Sequence, residues 1–161
     1  MASKDEKTNV MRLLDQKKIV YKHYTYEGDG TMTGEEIAGI LGEDPDRVFK
    51  TLVTTNGKNN AYFVFMVPVN RELDLKKAAK AVGEKSIEMI KAKELLGLTG
   101  YIHGGCSPIG MKKQFRTTCH ETALNYDTIL FSAGKIGYQV ETAPRELEKF
   151  MKIEFADITI G

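Results

Sequence analysis

Apolar and polar residues alternate along this chain in two distinct periods, and those periods divide it into helices and strands before any chemistry is considered. Over Glu6 to Lys18, Val10, Leu13, Leu14 and Lys17 fall at helical spacing, which predicts an amphipathic first helix. Tyr21 to Tyr26 alternates large and polar residues as a strand does, and Gly28, Asp29 and Gly30 break it. Thr33 and Glu36 form a T-x-x-E capping pattern ahead of Ile37, Ile40 and Leu41, so a short helix is expected to end at Gly42. Asp44 followed by Pro45 reads as a second helix start. Val48 to Thr55 and Ala61 to Val69 read as strands around Asn56-Gly57, a pair that tolerates positive φ and suits a tight hairpin.

Leu75, Ala78, Ala79 and Val82 share one face of a predicted helix over Asp74 to Val82 that stops before Gly83. A strand near Ser86 to Ile90, a short helix over Lys93 to Leu96 and a loop from Gly97 follow. The last third predicts strands near Gln114 to Cys119, Thr128 to Ser132, Tyr138 to Glu141 and Lys152 to Ile160, with a helix over Pro144 to Met151. Strands come singly and in hairpins, not in strict alternation with helices. The pattern therefore argues for an α+β fold, a mixed sheet or partly closed barrel surrounded by helices.

The 161 residues are about the size of one domain, and no repeat or linker divides them, so a single unit over 1–161 is expected. Charged residues make up 28% with a net charge of +1, which suits neither a disordered tail nor a membrane protein. No apolar run approaches the ~20 residues that cross a bilayer. Met1 to Lys7 is charged and lacks the apolar stretch of a signal peptide, so a cytoplasmic location is expected. Cys106 and Cys119 fit a reducing compartment and carry no C-x-x-C spacing. Lysines nevertheless cluster, as Lys76, Lys77, Lys80 and Lys85, then Lys91 and Lys93, then Lys112, Lys113 and Arg116. Each group is either a solvated face or a phosphate-binding patch.

Gly100 to Gly110 is the most unusual segment, G-Y-I-H-G-G-C-S-P-I-G, with its glycines and proline packed into one loop. Such a loop is an ordinary connector, or one whose amides form a concave donor site for a carbonyl or phosphate oxygen. Lys50 stands at the start of a predicted strand, either solvated or placed to hold a phosphate or an ester carbonyl as a point charge. Tyr26 ends the first strand, where its ring can simply pack or its hydroxyl reach the same mouth. Ser132-Ala133-Gly134-Lys135 is a second glycine turn with a basic end. His23, His103 and His120 are not spaced as a metal set. Cys106 is either a small filler or a nucleophile with His103 or His120 as base. G-x-x-x-x-G-K-[ST], G-x-G-x-x-G and G-x-S-x-G are all missing, so nucleoside triphosphate, dinucleotide and α/β-hydrolase chemistry has no support.

Val48-Phe49-Lys50-Thr51-Leu52, Leu73 to Ala79, the G-G-x-S-P-x-G-x-K-K core within Gly100 to Lys113, and Phe131 to Lys135 together resemble the YbaK/EbsC family, in its order and over nearly the whole chain. That family is similar to the editing insertion domain of bacterial prolyl-tRNA synthetases, and its best-known branch releases cysteine from Cys-tRNA(Pro). The resemblance implies Lys50 and Gly104 as the catalytic pair. Lys50 would hold the acceptor end near the scissile ester, and Gly104 to Pro108 would frame the aminoacyl group. Tyr26, Gly105, Ser107, Pro108, Ser132 and Gln139 would line the pocket, Gln139 standing where some relatives carry an acid. Lys112 and Lys113 would touch the tRNA.

The implied chemistry is substrate-assisted, the thiol of the bound cysteine attacking its own ester, so no enzyme nucleophile, metal or cofactor is expected. Expected partners are aminoacyl-tRNA and prolyl-tRNA synthetase, with neither a membrane nor DNA. A deacylase for alanine or another small residue, and a non-catalytic module that holds RNA or a synthetase, are the alternatives.

Overall fold

The structure, a computed structural model, describes residues 7–58 and 61–161. Helix α1 (Asn9–Gln16) is capped by Thr8, whose side chain accepts from the Met11 N–H, and it buries Val10, Met11 and Leu14. The predicted start at Glu6 lies outside the described residues. Strand β1 (Lys22–Thr25) precedes α2 (Gly34–Leu41), where the full capping box forms: Thr33 accepts from the Glu36 N–H at 3.1 Å and the Glu36 carboxylate accepts from the Thr33 N–H at 2.9 Å. Gly42 closes α2 in the left-handed region, φ 69°.

The Asp44-Pro45 start yields only one 3-10 turn, Pro45–Arg47, because the chain must straighten at once into β2 (Phe49–Thr55). β2 pairs antiparallel with β3 (Tyr62–Pro68), Thr55 opposite Tyr62, so the predicted tight Asn56-Gly57 turn is instead the first part of a six-residue connection, 56–61. The Asn56 carboxamide accepts from the Lys58 N–H and shapes its start. Helix α3 (Leu75–Val82) is capped by Asp74 and ended by Gly83, and β4 (Glu88–Met89) is short. Helix α4 (Ala92–Thr99) runs past the predicted stop at Gly97, since the glycine that terminates it, at φ 87°, is Gly100.

Strands β5 (Thr117–His120), β6 (Ile129–Ser132), β7 (Tyr138–Thr142) and β8 (Ile153–Ala156) complete the framework. Pro144–Lys149 is a 3-10 segment where an α-helix is predicted, six residues being too short a span between β7 and β8 for a settled helix.

Among the described residues the strands form two sheets, β1-β7-β6 and β4-β2-β3-β5-β8, the latter mixed because β5 runs parallel to both β3 and β8. They meet where Val48 pairs in parallel with Leu130, and no barrel closes. The larger core, with Met11, Leu14, Phe49, Met66, Phe131, Val140 and Leu147, fills the space on one side of this junction. Ala38, Val48, Val69 and Leu130 pack on the other, beneath α2. α3 covers the far side of the larger sheet through Phe65, Val67, Ala78 and Ile158. None of the described helices is long and apolar enough to cross a membrane.

Candidate active site

The junction of the two sheets places the chemistry. Side chains two apart on a strand share a face. Lys50 lies two residues beyond Val48, Ser132 two beyond Leu130, and Gln139 pairs directly with Ser132, so these three share the α2 side of the sheets in one row across β2, β6 and β7. All three line a cavity of about 420 Å³, within the size range of small-molecule sites. Its far walls are the 30–35 segment leading into α2, Leu95 of α4, and His103, Gly104 and Cys106 of the glycine loop.

A polar network anchors the row from below. The Arg47 guanidinium donates to Glu141 at 2.6 Å, to Glu43 at 3.1 Å, and to the hydroxyl and carbonyl of Thr128 at 2.8 and 3.2 Å. Glu141 also accepts from the Tyr24 and Thr128 hydroxyls. Burial works against ionisation of Glu141, but donors from Thr128, Tyr24 and Arg47 outweigh it and hold its carboxyl below the usual range. The same hydrogen bond to Glu141, with burial, pushes the Tyr24 phenol up to about 12. The network fixes the turn before β2 against β1, β6 and β7, so the backbone that carries Lys50 enters the cavity from a rigid base.

Lys50 is half-buried, and its ammonium makes no ion pair or hydrogen bond with any other described residue. An ammonium left unpaired on a cavity wall is available to a partly negative group of whatever the cavity binds.

Across from it, Gly104 adopts φ +90°, and a Cβ there would sit 3.2 Å from both the α-carbon and the carbonyl oxygen of Gly30. Two glycine backbones thus meet to form the wall. The Gly104 N–H donates to no other described residue, whereas that of Gly105 is spent on the Ile102 carbonyl at 3.0 Å. Farther along, the Tyr101 hydroxyl donates to the Ile109 carbonyl, and the Gln114 amide donates to the Pro108 carbonyl at 2.9 Å, which pins the loop from both ends. Gly34 permits the opposite wall: a Cβ there would lie 2.4 Å from Val69 Cγ1.

Of the residues the sequence singles out, Lys50, Gly104, Ser132 and Gln139 come together in this cavity. Tyr26, Gly105, Ser107 and Pro108 do not line it. Tyr26 is buried, its N–H bonded to the Gly137 carbonyl. Gly105 packs on the backbone of Lys135 and Ile136, where a Cβ would lie a tight 3.2 Å from the Ile136 nitrogen. Ser107 is fully buried and its hydroxyl accepts from the Ile109 N–H, so it shapes the loop. Lys112 and Lys113 are exposed, the Lys112 chain lying over Gly100.

Cys106 reaches the cavity, but burial pushes its thiol up to about 12, so it is no thiolate at neutral pH. His120 lies elsewhere, its Nδ1 accepting from the Ile158 N–H at 3.2 Å. The nucleophile reading of Cys106 therefore lacks an ionised sulfur and lacks His120, and only His103 lines the cavity with it. Among the described residues no three His, Cys, Asp or Glu side chains are grouped to hold a metal ion. Sequence reasoning missed Glu35 and Thr51 as lining residues and Arg47 with Glu141 as the anchor, and it offered His103, which also lines the cavity, only as a base for Cys106. Only tertiary register brings the last two together, 94 positions apart.

Residues 29–150 match the model of the aminoacyl-tRNA editing domain. The chain belongs to that family. EbsC of Enterococcus faecalis, provisionally named a Cys-tRNA(Pro)/Cys-tRNA(Cys) deacylase, is 48% identical over 155 residues, 96% of this chain and 94% of EbsC. The proline–tRNA ligase of Maridesulfovibrio salexigens is 32% identical over 133 residues, 81% of this chain but 22% of the ligase. Among solved structures, one described provisionally as a trans-editing enzyme for prolyl tRNA synthetase superposes with a TM-score of 0.80 at 23% identity, over 97% of this chain and 100% of that one. The hypothetical protein APE2540 does so at 0.84 and 20% identity, over 95% and 100%. These two likenesses speak for the fold of the editing domain.

Proposed function

We propose that this editing-domain chain is a free-standing deacylase, a single domain over residues 1–161, that releases cysteine from mischarged Cys-tRNA(Pro), and from Cys-tRNA(Cys), in the cytoplasm. The observation that carries the reading is that Lys50 and Gly104 line one cavity, the Lys50 ammonium without an ion pair and the Gly104 N–H without an acceptor among the described residues. That pair suits a group with a partly negative oxygen that becomes an oxyanion, and an ester carbonyl is such a group.

Among the described residues that line the cavity, the one thiol, Cys106, stays protonated at neutral pH, and the cysteinyl ester brings a nucleophile of its own. Its sulfur, as thiolate, attacks the carbonyl carbon. A C–S bond forms and the C–O bond to the ribose breaks. The proton lost from the thiol is returned to the ribose oxygen, leaving a cyclic thioester that water opens. Lys50 and the Gly104 N–H stabilise the charge on the carbonyl oxygen during attack, while Ser132 and Gln139 position the aminoacyl group. Holding sulfur and carbonyl in one small cavity supplies much of the remaining acceleration. Lys112 and Lys113 are the exposed cations proposed to meet the tRNA backbone, and prolyl-tRNA synthetase is the proposed partner that presents the tRNA, in keeping with the kinship to proline–tRNA ligases.

Replacing Lys50 by alanine is expected to slow release of cysteine from Cys-tRNA(Pro) by about 10²–10³, the usual cost of one oxyanion donor, with circular dichroism unchanged. Full activity in Lys50→Ala contradicts the proposal.

A further inference from the structure

Glu35 stands apart from its neighbour. Both Glu35 and Glu36 lie in the first turn of α2, but the Glu36 carboxylate is consumed by the capping box, accepting from the Thr33 N–H. The Glu35 carboxylate makes no ion pair or hydrogen bond with any other described residue, and Glu35 lines the cavity while Glu36 does not. Among the residues that line the cavity it is the one carboxylate, and Lys50 is the one lysine or arginine. They form no ion pair with each other, so the cavity carries a free positive group on β2 and a free negative group at the start of α2. A second acceptor is available: Oε1 of Gln139, a residue only 6% exposed, is buried and has no hydrogen-bond partner.

A cavity with separated charges of opposite sign matches a ligand that is itself polar end to end. On the reading proposed above, an aminoacyl ester is such a ligand, with an electron-rich carbonyl at one end and an α-ammonium about two bonds away. Lys50 attracts the carbonyl and repels the ammonium. The ammonium therefore needs an acceptor on the other wall, and a neutral residue could not supply the charge. We infer that Glu35 receives the α-ammonium of the aminoacyl group, with the Gln139 carbonyl as its neutral companion, and that this contact orients the ester toward Lys50. Glu35 is then a specificity-determining residue for substrates with a free amino group. It selects the aminoacyl ester over N-blocked esters of the same side chain, and does not act on the bond that breaks.

The test compares cysteinyl-tRNA(Pro) with N-acetylcysteinyl-tRNA(Pro), below the α-amino pKa of about 7.7 so that the free amine is charged. Because Glu35 is exposed to solvent, its contribution is that of a screened ion pair. Glu35→Gln is expected to lower kcat/KM on the free-amine substrate by about fivefold, chiefly through KM, and to leave the rate on the acetylated substrate within about twofold of wild type. Glu35→Asp, which keeps the charge, restores most of the loss. Glu36→Ala, which removes the side-chain acceptor for the Thr33 N–H, serves as the folding control and shifts both substrates alike. If Glu35→Gln lowers both substrates equally, or neither, the assignment of Glu35 is overturned while cysteine release stands. A wild type inactive on both substrates overturns the deacylase reading and this inference with it.

Discussion

At the scale of single residues, the site depends on one charge without a partner and one backbone without a side chain. Lys50 supplies the charge, and its expected loss on alanine substitution is kinetic. Gly104 is different, because a methyl group would both strain a φ of +90° and press on the Gly30 backbone at 3.2 Å. Gly104→Ala is expected to destabilise the fold by about 1–3 kcal/mol and to abolish cysteine release, checked by thermal denaturation alongside the deacylation rate. Cys106 is the contrasting case. Its thiol stays protonated far above neutral pH, so Cys106→Ala is expected to keep cysteine release within about threefold of wild type, the change reflecting lost packing alone. Loss by two orders of magnitude there would restore Cys106 as a nucleophile and count against substrate assistance.

At the scale of elements, the cavity exists because α2, β2, β6 and β7 are held in one register, and the Arg47–Glu141 network does much of the holding. Arg47→Met leaves Glu141 without its guanidinium and Thr128 without its donors, an expected cost of about 2 kcal/mol in urea denaturation for a pair still partly open to solvent. Glu141 titrates below the ordinary carboxylate range in the folded state. Its contribution is therefore present above the unfolded value and lost as pH falls through the folded one.

A second titration acts outside the cavity, at the end of β5. Burial, helped by Arg71, lowers the pKa of His120, with Asp157 and Glu121 opposing and Lys77 assisting. The neutral ring accepts from Ile158 and so fastens the last residues, where Leu73 bridges Thr159. A depressed folded value means that this support is complete above about pH 6.5 and fades as pH falls through the folded pKa. Amide exchange at Ile158 should accelerate over that window and not in His120→Asn.

Much of this element structure is legible in the chain itself. The T-x-x-E box and Gly42 mark α2, Asp74 and Gly83 mark α3, and alternation marks β2 and β3, because each is a local rule about capping or burial. The misjudged places are those where tertiary demands prevail: Asn56-Gly57 within a longer connection, Gly97 carried through α4, and Pro144–Lys149 compressed into 3-10 geometry. Within the site, the resemblance marks Lys50 and the glycine loop, but it says nothing of which loop amides are already spent. Gly105 and Ser107 turn out to support the loop for that reason. Glu35 has no motif of its own, since nothing in E-E distinguishes the glutamate that caps from the one that faces the cavity.

At the scale of the whole molecule, the near-neutral chain has the candidate cavity at the seam of two sheets and exposed lysines at 112 and 113 beyond the glycine loop. If those lysines meet phosphate, Lys112→Ala with Lys113→Ala weakens tRNA binding and flattens its salt dependence, by a log–log slope of about 1 for each contact removed. The chemical step on a bound substrate is untouched.

The central claim is that the cargo brings the nucleophile while Lys50 and Gly104 hold the ester. The most direct measurement is a side-by-side rate of amino acid release from Cys-tRNA(Pro), Ser-tRNA(Pro) and Ala-tRNA(Pro) with the same enzyme preparation. Rapid release of cysteine with serine and alanine near the uncatalysed rate is the predicted result. Alanine or serine released as fast as cysteine would show that no thiol is needed and would contradict the account.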